Sequence, residues 1–176
     1  MKTLEQIKKQ IQDLGIETDT ARSELHRWAA GMNDTYKVAL TLTLKQTQLC
    51  KTNKGHYFKR IDRDDCIKIA ERFMQKLNRE VFGKRGADKY EMTLKYLPVL
   101  EGAKTNKHLH LHFAIGGKPS YMTFQELGLA IRNAKLQVAG LDKEYKATVA
   151  DSGWMEYICK EASTKESDNV LWQLAN

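Results

Sequence analysis

The sequence predicts an α+β domain: an antiparallel β-sheet flanked by helices, with two extra helices at the N-terminus. Two observations carry this. Residues 36–45 and 108–117 alternate apolar and polar side chains with period two, the mark of strands that bury one face only. Between and after them, apolar residues recur three and four apart, which is helical spacing. With 176 residues, 41% of them hydrophobic and only two Pro, the chain is long enough for one domain with a full core.

Taken in order, Leu4, Ile7, Ile11 and Leu14 form a helical stripe that ends at Gly15, and Leu25, Trp28, Ala29 and Met32 form a second one after Thr18 or Thr20 as cap. Residues 1–33 thus read as a helical addition to a core spanning 36–162. Val38, Leu40, Leu42 and Leu44 face one way from the first strand, and Thr41, Thr43 and Lys45 the other. A polar loop around Lys51, Asn53, Lys54 and Gly55 leads to a helix over 63–82. There Ile67, Ala70, Met74, Leu77 and Val81 make the apolar stripe, Lys68, Arg72, Lys76 and Arg79 make a solvated face, and Gly83 is the stop. A second strand is expected over about 90–99, joined by the turn-rich 102–106 to the strand at 108–117 as a hairpin. Phe124, Leu127, Ile131, Ala134 and Val138 give a helix ending at Gly140; 144–150 gives a fourth strand and 153–162 a last helix. The order β, α, β, β, α, β, α is that of a ferredoxin-like or split βαβ sheet, leaving the last helix free to lie on the sheet's second face. No repeat, linker or low-complexity segment divides it, so 1–176 reads as a single domain.

Charge narrows the partner. Lys and Arg number 29 against 22 Asp and Glu, a formal charge of +7, which favours a polyanion: nucleic acid first, an acidic membrane surface second. No stretch approaches the roughly 20 apolar residues of a membrane span, and the first ten residues hold no apolar run, so a cytoplasmic protein with no membrane partner is expected. Cys50, Cys66 and Cys159 are odd in number and far apart, which suits buried or free thiols better than disulfides or a Cys-based zinc site.

The chemistry concentrates in His108-Leu109-His110-Leu111-His112-Phe113-Ala114-Ile115. Leu109, Leu111, Phe113 and Ile115 face the core, so the imidazoles share the opposite face. Neighbours i and i+2 on a strand lie about 6.5 Å apart, close enough for an adjacent His pair to share an ion with a third ligand from elsewhere. In the last helix Tyr157 and Lys160, three apart, share one face. A cation held by imidazoles beside a Tyr and a Lys suits phosphoryl transfer to the Tyr hydroxyl. The ion polarises the phosphate, Tyr157 attacks phosphorus, and Lys160 stabilises the phenolate or pairs with phosphate. Trp154 and Tyr121 are candidates for stacking on single-stranded bases. Each residue also has a plain reading, Tyr157 as a packed helix ring and Thr41 and Thr43 as strand residues under the floor of the site.

In order along the chain, Val38-Ala39-Leu40-Thr41-Leu42-Thr43, His110-Leu111-His112-Phe113-Ala114-Ile115 and Tyr157-Ile158-Cys159-Lys160 resemble the three motifs of the HUH endonucleases. The resemblance is to the Rep class that initiates rolling-circle replication of plasmids and viruses, and it covers roughly 36–161. It implies an RRM-like sheet and cleavage of single-stranded origin DNA, at a hairpin or stem-loop, through a 5′-phosphotyrosine on Tyr157. It further implies Mg²⁺ or Mn²⁺ held by His110, His112 and an upstream acid for which Glu101 stands in place, with Lys160 beside the nucleophile. A separate helicase and polymerase, in a bacterial or archaeal cytoplasm, would complete replication. His108 departs from the pattern; it leaves open a His108–His110 pair, or His108 in place of Glu101. Positions 153 and 161 are Gly and Glu, so a single nucleophilic Tyr is expected. Two alternatives remain: a single-tyrosine transposase of the same fold, and a non-catalytic basic nucleic-acid-binding domain, which would carry aromatics where this chain has imidazoles and threonines.

Overall fold

The structure is a computed structural model and describes residues 27–28, 31–32, 35–102, 108–151, 153–159 and 169–176. Most of the predicted N-terminal helices, together with Lys160, lies outside the described residues.

The elements run β1 (Tyr36–Leu44), β2 (Thr47–Thr52), β3 (Gly55–Arg60), α1 (Arg63–Lys89), β4 (Lys95–Glu101), β5 (His110–Gly116), α2 (Phe124–Leu136), β6 (Leu141–Val149), α3 (Trp154–Cys159) and a 3₁₀ turn at Trp172–Leu174. Four strands make one sheet in the order β4-β5-β1-β6, antiparallel at every pairing, while β2 and β3 form a separate two-stranded ribbon. The fold is α+β with an antiparallel sheet, compatible with a ferredoxin-like arrangement. Among the described residues, no helix is long and apolar enough to cross a membrane.

Alternation decides which side of the sheet is which. Leu40, Leu42 and Leu44 of β1 and Leu111, Phe113 and Ile115 of β5 are almost fully buried, under Phe73, Met74 and Leu77 of α1 and Leu127, Ile131 and Ala134 of α2. Phe73 meets Phe113 at 5.4 Å between ring centroids. Each such Leu, Ile, Met or Phe side chain contributes about 1.5–3 kcal/mol relative to exposure. The helices begin at matched capping boxes: Asp62 accepts from the Asp65 amide while the Asp65 carboxylate accepts from that of Asp62, and Thr123 and Glu126 repeat the arrangement on α2. On the opposite face a smaller cluster joins Leu97, Val99 and Ala114 to Met155, Ile158 and Cys159 of α3, with Trp28 and Val170. The last helix thus lies on the imidazole face of the sheet. The chain's final residues lie along the free side of β4: Leu171 N–H donates to Pro98 O, and Asn176 Oδ1 accepts from Tyr96 N–H.

Several boundaries differ from the sequence reading, each for a physical reason. The segment read as a polar loop is the β2–β3 ribbon, in which no residue is buried, the face of Gln48, Cys50 and Lys59 being partly covered and the face of Leu49 and Phe58 exposed, so it lacks a buried apolar stripe. Gly83 breaks the helix as expected, at φ 72° and ψ 158°, but a second helical segment follows across that kink and carries α1 on to Lys89. The second strand starts at Lys95 instead of Tyr90, because the backbone between these residues connects α1 to the sheet with Glu91 at φ 52°. The His strand begins at His110, leaving His108 exposed ahead of it. The fourth strand begins earlier, at Leu141, where pairing with Leu44 extends it.

Candidate functional site

The sheet register builds the site. Val38 to Thr43 of β1 pair with Ile115 to His110 of β5, which sets Thr41 opposite His112 and Thr43 opposite His110. On the other side of β5, Glu101 of β4 stands opposite His110 and Val99 opposite His112. Because opposed residues share a face, Thr41, Thr43, Glu101, His110 and His112 project to the same side. Beyond β1, Lys146 and Thr148 of β6 sit opposite Thr41 and Ala39 and extend that face.

His112 is the hub. Its ring is almost buried, at 6% exposure. Thr41 Oγ1 lies 3.0 Å from Nδ1, and Glu101 Oε2 lies 2.5 Å from Nε2. Both ring nitrogens therefore have partners, which fixes the plane of the imidazole. The contacts suit a neutral ring that donates from Nε2–H to the Glu101 carboxylate while Nδ1 accepts from the Thr41 hydroxyl, and a protonated ring that donates to both oxygens. The His110 ring runs nearly parallel to that of His112 at 6.3 Å between centroids, the separation expected of residues two apart on one strand.

Helix α3 closes the other wall. Met155, Ile158 and Cys159 are its buried anchors, and the same turn directs Trp154 and Tyr157 toward His112. The Trp154 and Tyr157 rings stack on each other at 5.5 Å and 19°, and each presents an edge-on contact to His112, at 5.8 and 5.9 Å. Tyr157 keeps 45% of its surface exposed, so its ring is accessible as well as held. Together these groups line a cleft of about 630 Å³ with Glu101, His110, Lys146, Thr148 and Asp151.

Of the residues singled out from the sequence, Glu101, His110, His112 and Tyr157 come together in this cleft, as does Trp154. Tyr121 does not: it lines a separate groove with Met122, Glu126 and Leu129, because the turn before α2 leaves the far end of β5. Lys160 lies outside the described residues. Lys146, Thr148 and Asp151 were missed, since the mixed charges of β6 read as an ordinary solvated strand; only its register with Thr41 identifies Lys146 as a cleft residue.

Two imidazoles and a carboxylate on one face are donors that a divalent ion takes, and the Thr41 contact to Nδ1 is the kind of outer partner that orients a ligating His. Glu101 and His112 are in direct contact, with His110 one ring away. Among the described residues, no three His, Cys, Asp or Glu side chains are gathered into a closed metal-binding group. Compared with protein-family models, curated proteins and solved structures, the chain matches none.

Proposed function

We propose that the protein is a metal-dependent single-stranded DNA endonuclease and strand transferase of the HUH type, acting as an initiator of rolling-circle replication. One observation carries the reading: the Tyr157 ring lies edge-on to His112, 5.9 Å between centroids, in a cleft that also holds Glu101 and His110. A buried Tyr packed only for stability needs neither that exposure nor a neighbouring imidazole–carboxylate pair.

In this reading the Tyr157 phenolic oxygen bonds to phosphorus and the P–O3′ bond breaks. Its electron pair leaves with the 3′ oxygen, which takes a proton to become a free 3′-OH, while the 5′ side stays on the enzyme as phosphotyrosine. Attack by a 3′-OH on that linkage reverses the step and rejoins the strand. His110, His112 and Glu101 would hold Mg²⁺ or Mn²⁺, which supplies polarisation of the phosphate and offsets charge on its oxygens. Thr41 holds the His112 plane and Trp154 holds the Tyr157 ring; Lys160, three residues on in the chain, would stabilise the phenolate or pair with phosphate, and Lys146 on the cleft wall adds a further cation. The partner is single-stranded DNA at a hairpin-bearing origin, with unwinding and synthesis left to other proteins. A ferredoxin-like, RRM-related sheet is the scaffold this chemistry uses.

The test is covalent capture. Labelled single-stranded DNA carrying a randomised segment beside a hairpin, incubated with the protein and Mn²⁺, should give a protein–DNA adduct that survives boiling in detergent. Tyr157→Phe should lose the adduct and retain binding. Absence of adduct with every ion and sequence pool, or its persistence in Tyr157→Phe, would overturn the assignment.

A further inference from the structure

The β2–β3 ribbon lies outside the cleft and contributes nothing to either hydrophobic cluster, yet it is fully paired from Thr47↔Arg60 to Thr52↔Gly55. Six residues per strand make a projection about 20 Å long. Opposed residues share a face, so Leu49 and Phe58 lie side by side with Lys51 and His56 on one flank and Thr47 and Arg60 on the other. Phe58 is 74% exposed and Leu49 59%, while Lys51, His56 and Arg60 are also exposed. A solvent-facing Phe at the centre of a paired ribbon has no packing explanation among the described residues, and the cations beside it lie on its own face of the ribbon. From Tyr36 to Ile61 the chain has six Lys or Arg (Lys37, Lys45, Lys51, Lys54, Lys59, Arg60) and no Asp or Glu. Of these, Lys59 sits on the other face and is taken up by Asp62 and Asp65 at 2.7 and 2.9 Å, leaving the Phe58 face its own set of positive charges.

We propose that this face of the ribbon is a second binding surface for single-stranded nucleic acid, with a base stacked on Phe58 and backbone phosphates paired with Lys51, His56 and Arg60. An exposed ring serves any base because every base has a π-face, and flanking cations track the backbone. Position supports the assignment. The end of β1 that opposes His110 runs through Lys45 and Gln46 directly into β2, so the ribbon is rooted at the Glu101–His110 end of the cleft. We infer that a strand leaving the cleft on that side comes within reach of the ribbon. The surface is argued from the ribbon alone; the choice of DNA over RNA rests on the proposed nicking activity.

The experiment measures fluorescence anisotropy of a labelled oligothymidylate of about twenty nucleotides with the full chain, without divalent ion, in a Tyr157→Phe background. Phe58→Ala should weaken binding about tenfold, equal to about 1.4 kcal/mol, with an unchanged melting temperature. Phe58→Trp should retain affinity and Phe58→Leu should not, because stacking needs a ring. Lys51→Gln and Arg60→Gln should each lower the slope of log affinity against log salt by about 0.7. Affinity within twofold for Phe58→Ala, or full affinity for Phe58→Leu, overturns the proposal. So does self-association in sedimentation that disappears with Phe58→Ala, since it makes a second copy the occupant. The two readings fail separately. An adduct with an unaffected Phe58→Ala affinity removes the ribbon surface and keeps the nickase; weakened binding without any adduct removes the nickase and keeps the surface.

Discussion

Replacing Thr41 by Val keeps the shape of the side chain and removes the hydroxyl 3.0 Å from His112 Nδ1. Two effects follow. The ring is 6% exposed, so water has little access to the abandoned nitrogen. A buried polar atom left without a partner costs about 1–3 kcal/mol. Global stability should fall by that amount, read as a lower urea midpoint with an unchanged slope. The second effect is on orientation: without Thr41, one of the two hydrogen bonds that hold the ring plane is lost, and Nε2 is presented to Glu101 less firmly. Loss of such outer partners typically reduces metal affinity or activity about 10–100-fold. Titration calorimetry with Mn²⁺ and the adduct assay should both register that drop. Thr41→Ser restores the hydroxyl and should recover most of both effects. If Thr41→Val binds Mn²⁺ within twofold of the parent, or if Thr41→Ser is as impaired as Val, the hydroxyl does not orient His112.

Two further outcomes follow from ionisation elsewhere. The Lys59 ammonium holds the Asp62 carboxyl at about 2, below its ordinary 3.8, and lowers Asp65 as well. The folded state therefore gains from this charge fully above about pH 4 and loses it as pH falls toward 2, so Asp62→Asn should flatten the decline of the urea midpoint across that interval. A parallel decline in both proteins would refute the coupling. Burial pushes the Cys66 thiol up to about 11 and Cys159 up to about 12, while Cys50 is only half-buried and unbonded to another sulfur. Iodoacetamide at pH 8 should accordingly modify Cys50 in the folded protein and all three thiols only after unfolding, as mass spectrometry would show; rapid folded-state labelling of Cys159 would mean that α3 opens far more readily than its packing implies.

What the sequence made legible is what repeats. Leu40, Leu42 and Leu44, like Leu111, Phe113 and Ile115, sit on faces with a strict two-residue period, and that period names both strands and their buried side. The same period gathers His110 and His112, and chain order brings Tyr157 near them. The ribbon escaped because neither of its faces joins a hydrophobic cluster, so no apolar stripe marks it; its local signal was the Asn53-Lys54-Gly55 turn. Glu101 could be expected near the imidazoles from chain distance, but its contact with His112, diagonal to its register partner His110, depends on side-chain direction across two strands. Lys146 became a cleft residue through a pairing with β1 more than a hundred positions away, which no local pattern encodes. Tyr121 failed for the converse reason: an exposed aromatic tells nothing of which edge of the molecule it decorates.

The cleft is assembled from two unlike parts. Thr41, Glu101 and His112 belong to neighbouring strands of one hydrogen-bonded sheet, whereas Tyr157 rides on the separate helical turn Trp154–Cys159, fastened by Met155, Ile158 and Cys159. Amide protons beneath the histidines should therefore exchange only with global unfolding, and those of the tyrosine's turn much sooner. In the proposed reaction, a Tyr157 mounted on the looser part would swing aside with its cargo while the anchoring groups stay put, so that swapping one strand end for another would require no rearrangement of the sheet.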